Sequence, residues 1–85
     1  MHELAIIDDL ITAISERVGE ARVFEVRLEV GRRAGVSAEA LRFSFEVCAR
    51  GTALGGAALS IDEIEGDSLR LTSVEVDRDV YDLRM

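Results

Sequence analysis

The residues with the most chemical promise open the chain: Met1, His2 and Glu3 in succession. A terminal amine, an imidazole on the next residue and the intervening amide nitrogens can close around one metal ion through small fused chelate rings. Ni2+ and Cu2+ suit such a planar nitrogen set because they displace amide protons. Zn2+ prefers a tetrahedral site and gains less. Methionine aminopeptidases work well only before small second residues, so the bulky His2 is expected to keep Met1, and the chelate geometry, in place. Taken alone, the triplet reads equally well as the loose start of a helix.

Other chemistry is thin. His2 is the only histidine and Cys48 the only cysteine. A Ser-His-Asp or Cys-His nucleophile would therefore depend on a chain end that is hard to hold rigidly. Cys48 falls late on the apolar face of a predicted helix, where it reads as a small buried hydrophobe; a reactive thiolate wants a cation or a helix N-terminus beside it. By itself it makes neither an internal disulfide nor a cysteine-rich zinc site. No glycine-rich loop runs into Lys and Ser or Thr, which excludes a Walker-type nucleotide site. Acidic residues number 17 in 85, yet none stands out as a catalytic pair, and a domain this small seldom encloses a dry pocket. The sequence predicts a protein that is not an enzyme.

With 48% apolar and 32% charged residues, the chain reads as one soluble globular domain with a thin core. Ten basic residues, all arginine, oppose the acids and leave a net charge of −7. That balance argues against nucleic acid as a partner and is compatible with a divalent cation or a basic protein surface. No apolar run approaches the roughly 18–20 residues of a membrane helix. Acids stand where a secretory signal has its basic region, so a cytoplasmic location away from membranes is expected.

The elements that must position these residues follow from periodicity. Leu4, Ile7, Ile11, Ile14 and Val18 recur at helical steps, predicting a helix over residues 3–18 that Gly19 stops. Residues 22–30 switch to period two, with Phe24, Val26, Leu28 and Val30 on one face and Glu25, Arg27 and Glu29 on the other. Ser37 caps a second helix over 38–49, carried by Leu41, Ser44, Phe45 and Cys48. Ala57, Leu59 and Ile61 then alternate in a second strand. In a third, Leu69 and Leu71 precede Val74 and Val76, a phase change that a β-bulge at Thr72 and Ser73 would absorb. The order α-β-α-β-β predicts an α+β fold: two helices on one face of a three-stranded mixed sheet, with the first two strands parallel. Residues 65–67 are expected as an antiparallel hairpin turn. The tail from 77 to 85 either prolongs the last strand or frays.

The run from MHELAII through ARVFEVRLEVGRRAGVSAEALRFSFEV to GTALGGAALSI, about residues 1–64, resembles the HypA/HybF family of nickel metallochaperones for NiFe-hydrogenase maturation. The resemblance resumes in LRLTSVEV. The Met-His-Glu start, the strand ending in V-G-R, the L-R-F-x-F-E helix and the G-T-x-L-x-G-A turn occur in family order and at family spacing.

The resemblance implies a metal carrier. In that family the N-terminal lobe binds Ni2+ through the His and neighbouring main-chain nitrogens, docks to a partner GTPase and helps deliver the metal to the hydrogenase large subunit. Carried over, His2 supplies imidazole and amide, Glu3 an amide, and Met1 an amine. Some relatives add an acidic ligand near the start of the second helix; the matching position here is Ser37, with Glu39 two residues on. The family also carries a zinc lobe with two C-x-x-C pairs between its second and third strands. Here that point is Glu65-Gly66-Asp67, so no zinc is expected and residues 1–85 are expected to form a single nickel-binding domain. A second reading is a zinc-free protein-interaction module that keeps the fold without useful metal affinity. It would contact a GTPase, or a second copy in a homodimer, through sheet edges or the acidic face at Glu25 and Glu29.

Overall fold

A computed structural model of the chain describes residues 3–77 and 80–82. The first helix, α1 (Glu3–Val18), buries Ile7, Ile11, Ile14 and Val18, the stripe that its spacing dictates. Glu3 lies in its first turn and Arg17 in its last, both favourable to the helix dipole. The second helix, α2 (Ala38–Ala49), buries Leu41, Ser44, Phe45 and Ala49. Its N-cap is Ser37, whose hydroxyl accepts a hydrogen bond from the Ala40 amide at 3.1 Å. Cys48 is only partly buried, less enclosed than its position suggests.

Four strands form one sheet: β1 (Val23–Gly31), β2 (Ala58–Ile64), β3 (Leu69–Val76) and β4 (Val80–Asp82), in the spatial order β2-β1-β3-β4. β1 pairs in parallel with β2 and antiparallel with β3. The α+β arrangement of two helices on a mixed sheet is the expected one, and β4 adds a short fourth strand antiparallel to β3. Both helices and the sheet share one core in which Ile7, Val26, Leu28, Leu41 and Leu54 are almost wholly enclosed. Leu54 reaches it from the loop after α2, where the Thr52 hydroxyl donates to Ala49 O and accepts from the Leu54 amide.

The hairpin expected at residues 65–67 does not form. β2 and β3 lie on opposite sides of β1, so the link between them passes over the end of the central strand. Three backbone bonds fasten it there: Gly31 N to Ser68 O at 2.6 Å, and Arg32 N to Ile64 O and Arg33 N to Gly66 O, both at 2.8 Å. A side-chain carbon at Gly31 would run into the Gly66 carbonyl and lie 2.9 Å from the Asp67 amide. The glycine in V-G-R is a clearance requirement. The hairpin expectation failed because a short link and antiparallel neighbours in sequence do not reveal which strand lies between them.

Two irregularities set which side chains meet the core. The pairing of β1 with β3 shifts between Arg27 and Leu28, which face Ser73 and Leu71, so Thr72 is the extra residue. That is the expected bulge, and it brings Leu69, Leu71 and Val74 opposite Val30, Leu28 and Val26. Thr72 is buried and its hydroxyl donates to Arg27 O at 3.1 Å. A second shift lies between Val23 and Glu25. It turns Phe24 out to 49% exposure and puts Val23 in the core, reversing the expectation for Phe24.

Candidate metal centre

Of the candidate positions, Glu3, Ser37 and Glu39 lie where the two helices begin. Met1 and His2 lie outside the described residues, and Glu3 is the first residue beyond them. The Glu3 carboxylate reaches across to α2, where its Oε2 accepts a hydrogen bond from the Ser37 amide at 2.9 Å. Ser37 is thus used twice, donating its N–H to Glu3 and using its hydroxyl to cap α2 through Ala40. An N-terminal helix end exposes amides without intrahelical partners and carries partial positive charge. The bond joins the ends of α1 and α2 and places a carboxylate on one of those amides.

Glu39 occupies the first turn of α2 and is exposed. Among the described residues, no group of three or more His, Cys, Asp or Glu side chains is arranged to hold a metal ion. Of the expected donors, only Glu3 is among the described residues, and its carboxylate is directed to Ser37 at the start of α2. The helix cap at Ser37 was legible in sequence. Its contact with Glu3, 34 residues away, was not.

The acidic face of β1 is internally paired. Glu25 accepts from the Ser60 hydroxyl at 2.6 Å and lies 3.5 Å from the Arg27 guanidinium; Glu29 accepts from Arg70 at 2.9 Å. The Ser60 bond, with smaller help from Arg27 and against the cost of burial, lowers the Glu25 pKa. These carboxylates are less available as contacts than an exposed acidic strand face suggests. At the β2 edge, Arg42 of α2 donates to Leu59 O at 3.1 Å. An open groove of about 360 Å³ beside it is lined by Arg42, Phe45, Glu46 and Arg50 among others. On the helical layer, Leu4, Phe43 and Val47 are 56%, 69% and 41% exposed. No helix among the described residues is long and apolar enough to cross a membrane.

Residues 1–75 match the family model described as hydrogenase/urease nickel incorporation, metallochaperone, hypA. Hydrogenase maturation factor HypA of Chloroflexus aurantiacus is 48% identical over 67 residues, covering 75% of this chain and 59% of that protein. The HypA of Beijerinckia indica is 49% identical over 69 residues, covering 78% and 61%. The chain thus spans about three-fifths of the length of these curated relatives. The solution structure of the Ni metallochaperone HypA from Helicobacter pylori superposes with a TM-score of 0.75, covering 89% of this chain and 97% of that one. At 18% identity, this last likeness concerns the fold alone.

Proposed function

This chain belongs to the HypA family of hydrogenase/urease nickel-incorporation metallochaperones, and from that membership we propose that it carries Ni2+ for hydrogenase maturation in the cytoplasm. The proposed site is the start of the chain. His2 contributes its imidazole and amide nitrogens, Glu3 its amide and Met1 its amine, a donor set that favours a planar d8 ion over zinc. The observation that supports this reading most directly is Glu3 itself. It opens α1 and is tied to Ser37, so its amide, one of the proposed donors, has a fixed place beside two helix ends.

The role is that of a carrier, not a catalyst: it takes up the ion and releases it to partner proteins. A maturation GTPase and the hydrogenase large subunit are the partners the family suggests. We also propose that the chain works without zinc. Cys48 is its only cysteine, and the link at residues 65–67 crosses β1 where the family's zinc lobe would be inserted. The test is Ni2+ titration of the protein beginning at Met1, beside His2→Ala. Near-stoichiometric binding with a square-planar, low-spin spectrum, lost in His2→Ala, supports the site. Equal binding by the two proteins rejects it.

The exposed Leu4, Phe43 and Val47 favour a second reading, a protein-interaction module that retains the fold without useful metal affinity. It predicts weak, unselective metal binding alongside association with a GTPase or with a second copy of the chain.

A further inference from the structure

We propose that the open edge of β2 docks an extended peptide segment bearing an acidic side chain. The segment adds a strand beside β2, and its carboxylate enters the groove at α2, between Arg42 and Arg50. This surface is separate from the proposed nickel site and does not depend on it.

Among the described residues, β1 is the one sheet neighbour of β2. The Arg32 amide bonds Ile64 O at the end of this parallel pair, which fixes the alternation along β2. Ile64, Asp62, Ser60 and Ala58 turn their main-chain groups to β1, and Glu63, Ile61 and Leu59 turn theirs to the open edge. Leu59 O is where the Arg42 guanidinium sits, donating at 3.1 Å. An unpaired edge of this kind is a template for another strand.

Charge selects the occupant. The chain is net −7, yet Arg42 and Arg50 both line the groove beside the start of β2, over a floor that includes Phe45, Ala49 and Leu59. Arg42 serves only a neutral carbonyl, and Arg50 has no hydrogen bond or ion pair among the described residues. Glu46 lines the same groove one turn from each arginine and is bonded to neither, so positive charge is in excess. Toward the other end of β2, Asp62 and Glu63 are exposed, which confines an incoming carboxylate to the arginine end. A carboxylate there draws Arg42 from Leu59 O into a stronger, charge-assisted bond. Leu59 O is then free to accept from the docked main chain. Without the acid, Arg42 stays on the edge and guards it. Main-chain pairing supplies affinity in such a mode and the groove supplies selectivity.

The experiment is amide NMR of the full chain titrated with a short blocked peptide of alternating valine and threonine that carries one glutamate. Glutamate is placed at either end in turn, since the strand direction is left open. The expected result is movement of the Leu59, Ile61 and Glu63 amides, with affinity about fivefold lower when glutamine replaces glutamate. Arg50→Ala should lose about the same factor, and because Arg50 makes no bond in the fold, this variant tests the groove without disturbing it. In Arg50→Glu the preference should pass to a lysine peptide. N-methylation at alternate peptide residues should abolish binding in one phase and spare it in the other, since only one row of peptide amides faces β2. Indifference to that phase would overturn strand addition. Equal binding of the glutamate and glutamine peptides would overturn the role of the arginines. Glutarate moving the same amides as strongly as the peptide would make the groove a small-acid site and overturn the peptide. Movement of those amides with protein concentration alone, and no response to peptide, would assign the edge to a second copy of the chain and overturn the proposal.

Discussion

Gly31, the last residue of β1, lies against Gly66 in the β2–β3 link so closely that the backbone of one fills the space a side chain would need on the other. Gly66 itself has φ of +101°, a region that favours glycine. The contact lets one short link straddle the central strand and connect its two flanking partners. Gly31→Ala cannot be relieved by turning a side chain, because the obstructing atoms are backbone. The expected cost is about 1–3 kcal/mol, read as a lower urea midpoint at unchanged m-value. An unchanged midpoint would mean that the link moves freely away from β1.

The bulge at Thr72 makes a separate prediction. Its hydroxyl is buried and donates to Arg27 O at the register shift. Thr72→Val preserves shape and removes the donor. A destabilisation of about 1–2 kcal/mol is expected from the orphaned carbonyl, again by chemical denaturation. A neutral result would show that Arg27 O finds another donor.

Acid stability tests the Ser60–Glu25 pair. Glu25 has its pKa lowered from an ordinary value of 4.5, first by the Ser60 hydroxyl. A carboxylate with a depressed folded-state pKa binds protons more readily when unfolded, so it stabilises the fold above 4.5 and loses that contribution as pH falls through its folded value. Ser60→Ala should therefore lower the melting temperature at neutral pH and converge with wild type in stronger acid. Parallel melting curves at every pH would contradict the pairing.

The exposed apolar side chains of α2 distinguish surface from core. Phe43→Ser and Val47→Ser should each change stability by no more than about 0.5 kcal/mol, while Phe45→Ala, from a buried position, should cost about 3–5 kcal/mol. In the protein-interaction reading, the two serine variants also lose association with the partner GTPase or with a second copy. Retention of full association would move the contact elsewhere.

Much of this fold was legible in the residues. Helical spacing located α1 and α2, Ser37 announced its cap, and the slip from Leu71 to Val74 announced a bulge before any partner strand was known. Phe24 shows where that reading ends. Strict alternation placed it inside, and only the register against β3 reveals the displaced pair that turns it out. The link at residues 65–67 shows the same limit at larger scale, since local sequence marks a turn without stating which strand it spans. At the proposed metal centre, Met1, His2 and Glu3 were named from their chemistry alone. The hydrogen bond from Ser37 to Glu3 depends on two helices meeting end to end, and nothing within either segment encodes it.

The most direct measurement is Ni2+ calorimetry on protein whose first residue is Met1, compared with the same protein carrying a short extension before Met1. The extension removes the free amine beside His2 and leaves the folded core untouched. Near-stoichiometric, low-spin nickel binding by the first protein, abolished in the second, is the predicted result. Equal binding by both would contradict a clamp built from the first three residues.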